Sequence, residues 1–186
     1  MRTAVFYATR EGQSERVAGR VATDLRAQHA VVDLIDVKDV RGSIDWRAYG
    51  QAFVVASVHA GHHEKEMIAF VKRSKAELAR LQAAFLSLTL SQAGAEMPAN
   101  SLLQRQAAHE DALRMIYDFV RETGWQPARV LPVAGALAYS KYNFLVKFIM
   151  KRIAHKAGFD GPTSQDYEFT NWAEVDRFVG VQSKAA

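Results

Sequence analysis

The chain has 186 residues, enough for one domain whose hydrophobic core needs no covalent cross-links. Hydrophobic residues make up 49% of it and charged residues 24%, which is the balance of a globular protein and not of a disordered or fibrous one. It contains no cysteine, which excludes disulfides, thiolate catalysis and cysteine-ligated metals, and its net charge is +4.

Five apolar runs predict five buried β-strands, at residues 3–8, 30–37, 52–57, 84–90 and 129–135. The first run begins so early that we expect no signal peptide, and no run reaches the roughly 18 residues of a membrane span. We therefore expect a cytoplasmic protein.

Segments with helical periodicity separate most of these runs. In the first such segment, Val17, Val21 and Leu25 mark the buried face. Asn171 and Glu174 have capping-box spacing, which predicts that the last helix begins near residue 171. The connection at residues 38–50 is too irregular to predict a helix.

Strands that alternate with helices imply right-handed crossovers and a parallel sheet covered on both faces. We therefore predict an α/β fold, a three-layer sandwich with a five-stranded parallel sheet, in which residues 1–186 form one domain. Ligands of such sheets bind outside the carboxyl ends of the strands. The loops after residues 8, 57, 90 and 135 are therefore the candidate site.

The loop TREGQS, Thr9 to Ser14, is the candidate for binding a phosphate. It joins the first strand to the first helix, where backbone N–H groups and the hydroxyls of Thr9 and Ser14 can meet an anion and Gly12 permits close approach. The dinucleotide and Mg-ATP glycine motifs are both absent, which favours a monophosphate. The alternative is an ordinary turn in which Ser14 is the N-cap of the helix.

The pattern T-x-x-G-x-S in this loop resembles the phosphate loop of flavodoxins, which bind FMN. The segments YATREGQS, ASVHAGHH, AFLSLTL, VAGALAYSKYNFLVKFIMK and YEFTNWAEV are similar, in the same order, to the flavodoxin-like, menaquinone-dependent protoporphyrinogen IX dehydrogenase family. The chain departs from that family at His59 and Ala60, which stand where the family has Arg and Tyr. It departs again at SQAGAEMPAN, which contains no base where the family is rich in lysine and arginine.

The resemblance implies a flavodoxin-like fold with FMN at the carboxyl edge of the sheet. Its phosphate would lie in the loop after the first strand, and its ring between the loops after the third and fourth strands, beside the end of the fifth. The implied cofactor-binding residues are Thr9, Arg10, Glu11, Gly12, Gln13, Ser14, Ser57, Val58, His59, Gly61, Leu88, Thr89, Leu90, Ser91, Gly135, Ala136 and Leu137.

Three histidines follow the third strand, and we expect one of them, His62, to be a catalytic proton acceptor. The resemblance aligns a histidine there, after Gly61, and an imidazole titrates near neutral pH. The sequence HHEKEM is not H-E-x-x-H, and no further cluster has ligand spacing, so we expect no metal. Solvent-exposed histidines without a role are the alternative.

The segment 138–161 contains five basic residues and one acid, which accounts for the whole positive excess, and it predicts a helical insertion before the last helix. On that helix Leu145, Ile149 and Ile153 would share one apolar face. A packed helix with solvated lysines is one interpretation, and a cover over a flat anionic ligand or an anionic membrane surface is the other. Residues 166–170 would then resume the fifth strand. The residues expected to face substrate or membrane are Tyr139, Tyr142, Phe144, Lys147, Phe148, Lys151 and Arg152.

The resemblance implies FMN-dependent oxidation of protoporphyrinogen IX to protoporphyrin IX in heme biosynthesis. Electrons would pass to a membrane quinone, menaquinone or ubiquinone, from a cytoplasmic protein at the inner face of the cell membrane. The alternatives are a flavodoxin-like NAD(P)H:quinone reductase and a non-enzymatic electron carrier, although such carriers are usually acidic and this chain has a pI near 9.4. A charge confined to one segment is not typical of nucleic-acid binding. The sequence is compatible with both a monomer and a homo-oligomer.

Overall fold

The structure, a computed structural model, describes residues 2–184. The strands of its main sheet are β1 Arg2–Ala8, β2 Val31–Asp36, β3 Tyr49–His59, β4 His62–His63, β5 Gln82–Thr89 and β6 Arg129–Ala134. Within the described residues, five of them pair in parallel in the order β2-β1-β3-β5-β6, and the short β4 folds back antiparallel on β3. The predicted five-stranded parallel sheet is confirmed.

The helices are α1 Gln13–Ala27, α2 Lys65–Leu78, α3 Leu90–Glu96, α4 Leu102–Thr123, α5 Phe144–Lys156 and α6 Trp172–Lys184. The sequence did not predict α3, because its first residue ends an apolar run that reads as strand. Thr89 caps α3 by accepting a hydrogen bond from the Ser91 amide at 3.0 Å. The cap predicted for the last helix is present, since the Asn171 side chain accepts from the Glu174 amide at 3.3 Å.

Two helical layers cover the sheet, as a doubly wound fold requires. On one face, Val17, Val21 and Leu25 of α1 pack with Val175 and Val179 of α6, and all five are fully or almost fully buried. The opposite face is covered by α2 and α4, which contribute, among others, Met67, Phe70, Ile116 and Phe119. The carboxyl edge of the sheet lies between these layers and is open to ligands.

A third and smaller apolar cluster holds the insertion, with Leu137, Tyr139 and Ala154 at its centre. The strand β7, Ala136–Leu137, pairs antiparallel with β8, Tyr167–Glu168, and neither joins the main sheet. The prediction that residues 166–170 resume the fifth strand is therefore wrong. The chain returns from α5 in the opposite direction and pairs with β7 instead.

Both ends of the insertion are fixed. At its start, Ser140 donates through its backbone N and its Oγ to the two carboxylate oxygens of Asp166, at 2.7 and 2.6 Å. At its end, Gly158 has φ +86°, and Asn100 donates to the carbonyl of Ala157 at 2.9 Å. Within residues 2–184, no helix combines the length and the apolar character needed to cross a membrane.

His63 makes the stability of the fold dependent on pH. Its side chain is buried beside Phe85 and Phe119, and its Nε2 lies 2.8 Å from Ser87 Oγ. Burial, followed by the nearby His59 and His62, lowers the pKa of His63 from 6.5 to about 3. Between about pH 3 and pH 6.5, His63 is therefore neutral in the folded protein and protonated in the unfolded chain.

We expect acid to destabilise the protein through His63 before most carboxylates titrate. The stabilising contribution is complete above about pH 6.5 and falls by about 1.4 kcal/mol per pH unit below it, a loss of roughly 3 kcal/mol by about pH 4. Urea unfolding at several pH values measures it, with His63→Gln as the variant that cannot titrate. Stability curves of equal slope for the two proteins would contradict the assignment.

Candidate functional site

The loop between β1 and α1 is shaped by Gly12. This residue is the N-cap of α1 with φ +100°, a conformation that favours glycine, and among the described residues no side chain caps the helix. Thr9 Oγ1 accepts a hydrogen bond from the Gly12 amide at 2.8 Å. The first amides of a fifteen-residue helix therefore face the loop with no side-chain acceptor.

Two lysines from distant segments hold this loop. The ammonium of Lys38 donates to the carbonyl of Thr9, and that of Lys141 donates to the carbonyl of Glu11. Both ammonium groups add positive charge near the N-terminus of α1, where the helix dipole is also positive. The geometry suits an anion.

Ser14 is not the N-cap of α1, so the alternative interpretation, an ordinary turn in which Ser14 caps that helix, is wrong. The side chain lies inside α1, is completely buried, and donates to Ser57 Oγ at 3.0 Å. Ser14 thereby links the phosphate loop to the end of β3.

A buried network orients His59. The Glu64 side chain, which is completely buried, accepts from the Ser57 backbone N at 2.9 Å and from Ser57 Oγ at 2.6 Å. Because that hydroxyl gives its one proton to Glu64, it can only accept from His59 Nε2, 3.2 Å away. The neutral imidazole therefore carries its proton on Nε2 and leaves Nδ1 as an acceptor, 3.6 Å from Glu11 Oε1.

The other two histidines lie elsewhere. His62 is exposed on β4, paired across the hairpin with His59, and does not line the cavities described below. His63 is buried in the core. Within the described part of the chain, no three His, Asp or Glu side chains lie close enough to hold a metal ion.

Three adjoining cavities line the carboxyl edge of the sheet. A ring cavity of about 430 Å³ lies between residues 58–61, residues 89–91 and α5. A phosphate cavity of about 490 Å³ lies between residues 11–16 and the start of the insertion, and a neck of about 40 Å³ has walls in common with both. Glu11 lines all three, and His59 lines the ring cavity and the neck.

The ring cavity is mostly apolar, and α5 forms one wall of it. Its apolar lining comes from four elements of the fold and includes Val58, Leu90, Met115, Val146, Ile149, Met150 and Ile153. The volumes of the ring cavity and of the phosphate cavity both lie within the range typical of small-molecule sites. Arg10 and His59 are the basic side chains at the rim of the ring cavity.

Tyr142 lines the neck as a neutral phenol. Burial, and secondarily the charge of Glu11, raises the pKa of Tyr142 to about 12. Its oxygen accepts from the Ala138 amide at 3.4 Å, so the phenol proton remains available to a ligand in the neck.

The remaining residues expected at the cofactor differ in exposure. Leu90 and Ser91 line the ring cavity, and the neck reaches Gly135 and Ala136. Thr89 lines both spaces, although it is 4% exposed. Leu88 lines the neck and Leu137 lines the phosphate cavity, although both are completely or almost completely buried and pack in apolar clusters.

The insertion helix leaves most of its apolar face open. Leu145, Ile149 and Ile153, which the sequence places on one apolar face, are 65%, 47% and 39% exposed. The helix packs instead through Ala154 and Met150, because the small Ala154 lets α5 approach the third cluster closely. The interpretation of α5 as a packed helix in which only the lysines are solvated is therefore wrong.

Two expectations for substrate-facing residues need correction. Tyr139 is completely buried, and its hydroxyl has no hydrogen-bond partner within the described residues, so it anchors the insertion and does not form an open wall. Phe144 and Phe148 are 89% and 57% exposed but lie outside the lining of the ring cavity. Lys147 is half-buried, and Lys151 and Arg152 are exposed.

Sequence reasoning missed four residues of the site. Glu64 is hidden because a hairpin turn returns it to Ser57, and Met115 because its helix is distant in the chain. Lys38 and Lys141 reach the loop from positions 29 and 130 residues away. No local pattern in the sequence indicates these contacts.

Comparisons with known proteins identify the family of the chain. A family model described as a flavodoxin domain matches residues 4–164. The protoporphyrinogen IX dehydrogenase [quinone] of Escherichia coli strain K12 is 26% identical over 179 residues, which are 96% of this chain and 93% of that protein. The protein of the same name from Leishmania major is 27% identical over 94% of this chain and 71% of its own length.

Solved structures agree at the level of the fold. The oxidised flavodoxin 1 of Bacillus cereus has a TM-score of 0.59 at 13% identity, with 100% of this chain and 99% of that chain covered. A short-chain flavodoxin associated with a bacterial microcompartment has a TM-score of 0.56, also at 13% identity. Similarity this low in sequence shows the fold alone.

Proposed function

This chain belongs to the flavodoxin domain family, and from that premise we propose that it is an FMN-dependent protoporphyrinogen IX dehydrogenase that passes electrons to a membrane quinone. The observation that carries the proposal is the row of cavities from an uncapped glycine loop to an apolar pocket beside an oriented histidine. The names of the relatives from Escherichia coli and Leishmania major give the substrate and the acceptor.

The residues present fit FMN. Free amides at the start of α1 and the ammonium of Lys141 suit its phosphate. The apolar ring cavity suits the isoalloxazine, and the neck offers the Tyr142 phenol between them. No dinucleotide glycine motif is present for the second half of FAD. When bound, FMN supplies a two-electron oxidant that accepts hydride.

The chain itself supplies the proton acceptor. Oxidation of a porphyrinogen removes hydride from a bridging carbon and a proton from a pyrrole nitrogen. His59 Nδ1 is the acceptor for that proton, since Nε2 is committed to Ser57. Glu11, 3.6 Å from Nδ1, and the buried Glu64, 3.4 Å from Nε2, both stabilise the imidazolium that results.

The insertion supplies the wall against which a large flat ring can be positioned. Val146, Ile149 and Ile153 present apolar side chains to the ring cavity. Arg10, exposed at its rim, is a cation suited to a propionate of the substrate. An electron carrier needs no such wall, which favours the enzyme.

The outer side of α5 is suited to an anionic membrane. Phe144, Leu145 and Phe148 are among the most exposed large apolar side chains of the described residues, and Lys151 and Arg152 are exposed beside them. Apolar side chains bordered by cations are typical of helices that lie in the membrane interface. We place the protein on the cytoplasmic face of the cell membrane, where a quinone is within reach.

We expect salt-sensitive binding to anionic liposomes, through the basic residues of α5. Each neutralised charge should weaken binding by about 1 kcal/mol, and flotation with vesicles of defined anionic lipid content measures it. The variant replaces four residues of α5 by Gln: Lys147, Lys151, Arg152 and Lys156. The matched control replaces four exposed bases of α2 and the turn after it: Lys65, Arg73, Lys75 and Arg80. Equal binding by the two variants at low salt would contradict a membrane role for α5.

Anaerobic mixing of the FMN-loaded protein with protoporphyrinogen IX tests the enzymatic proposal. Reduction of the flavin followed by reoxidation with a quinone is the expected result. Reduction by NAD(P)H alone would identify a quinone reductase, and reduction by neither would leave an electron carrier.

A further inference from the structure

The insertion carries one exposed cation, Lys141, whose ammonium reaches back to the phosphate loop. Lys141 ends a short 3-10 turn, Tyr139–Lys141, directly before α5. Tyr139 is completely buried, and Ser140 is held by two hydrogen bonds to Asp166, so the backbone from which Lys141 extends is fixed. The fold therefore determines where the Lys141 side chain begins and which way it extends.

That ammonium lies over the glycine of the phosphate loop. It donates to the carbonyl of Glu11, and a Cβ added at Gly12 would lie 3.3 Å from its Nζ. Lys141 lines the phosphate cavity together with Gly12 and Gln13. The cation and the first amides of α1 thus face the same space.

The carboxylates that line this cavity are mostly engaged with other partners. Glu168 accepts from Gln13 at 2.7 Å and pairs with Arg16 at 3.1 Å, and Asp166 is bound to Ser140. Glu11 pairs with His59, and Glu15 lies in the first turn of α1. Among the described residues Lys141 forms no ion pair, and its only hydrogen bond there is to a carbonyl. An ammonium has three donors, so two remain for a ligand.

We propose that Lys141 is the charged residue that recognises the phosphate of the cofactor, so that the insertion and not only the loop selects FMN over riboflavin. The inference rests on the proposed function, because it requires FMN in the cavities described above. A phosphate monoester carries between one and two negative charges at neutral pH. The Lys141 ammonium and the amides of α1 would neutralise that charge from two sides.

Lys38 provides a matched comparison within the same loop. Its ammonium also donates to a loop carbonyl, that of Thr9, yet Lys38 does not line the phosphate cavity, the neck or the ring cavity. If lysines act only by holding the loop, the two positions should respond alike. If Lys141 binds phosphate, only Lys141 should discriminate between the two flavins.

The test measures dissociation constants of the full-length apoprotein for FMN and for riboflavin by quenching of flavin fluorescence. Lys141→Gln keeps an N–H donor for the Glu11 carbonyl but removes the charge. We expect it to weaken FMN roughly tenfold to a hundredfold, as for a lost hydrogen bond to a charged group, with riboflavin changed less than about twofold. Lys141→Arg keeps the charge and should retain most of the preference for FMN. Lys38→Gln should keep the wild-type ratio of the dissociation constants for FMN and riboflavin.

The outcomes separate this inference from the proposed function. Equal losses for FMN and riboflavin in Lys141→Gln, or no loss for either, would overturn the role of Lys141 while leaving a flavin site in place. A wild-type protein that binds neither flavin would overturn both. A preference for FMN that disappears only in Lys141→Gln supports the inference.

Discussion

Removing the apolar wall of α5 should abolish most porphyrinogen oxidation while the cofactor stays bound. The variant replaces Val146, Ile149 and Ile153, which line the ring cavity, by Ser. A large ring that is no longer positioned loses at least about a hundredfold in rate, because positioning contributes several kcal/mol to catalysis. The rates are measured at saturating FMN, because the same three side chains also line the cavity proposed for the isoalloxazine. Reduction of the bound flavin by dithionite should persist, since the phosphate loop and Lys141 are untouched.

The matched control changes the same number of apolar residues on the same helix. Phe144, Leu145 and Phe148 are exposed and lie outside the cavity lining, so their replacement by Ser should leave porphyrinogen oxidation in detergent unchanged. A second variant, in which a flexible linker replaces residues 144–156, checks that the effect is not one of helix propensity. Equal rates in the two triple variants would show that α5 is not a substrate wall.

His59→Gln should slow the reduction of bound FMN by protoporphyrinogen roughly a hundredfold to ten-thousandfold, the usual range for loss of a general base. Gln keeps a hydrogen bond to Ser57 but has no basic nitrogen to receive the pyrrole proton. Anaerobic stopped-flow absorbance of the flavin measures the rate.

His62→Gln is the control, because His62 lies three residues away and its side chain is exposed. We expect less than a twofold change. A large loss in His62→Gln and none in His59→Gln would restore the assignment that the sequence alone predicted. Unchanged flavin binding in both variants would rule out a purely structural cause.

The layers of the fold could be predicted because each depends on local periodicity. The strands at residues 3–8 and 52–57 are apolar runs buried on both faces, and α1 shows its buried face in the spacing of Val17, Val21 and Leu25. The two-residue strands β4, β7 and β8 have no such signal. Their pairing depends on where the chain returns, which no local pattern encodes.

The site could be predicted only in part, for a related reason. The phosphate loop is contiguous in sequence, so its residues were recognisable. His59 and His62 are paired across the hairpin of β3 and β4, and only His59 reaches the ring cavity and the neck, which depends on how the hairpin lies against the rest of the fold and is not encoded by a local pattern. The packing side of α5 could not be predicted, because hydrophobicity ranks Ile153 above Ala154, whereas close packing prefers the smaller residue.

The most direct test of the central claim is the wild-type arm of the stopped-flow experiment. The FMN-loaded protein is mixed with protoporphyrinogen IX without oxygen, and flavin and porphyrin absorbance are followed together before a quinone is added. We predict loss of oxidised flavin matched by appearance of oxidised porphyrin species, and recovery of the flavin on addition of the quinone. Flavin that stays oxidised in the presence of excess protoporphyrinogen IX would contradict the account.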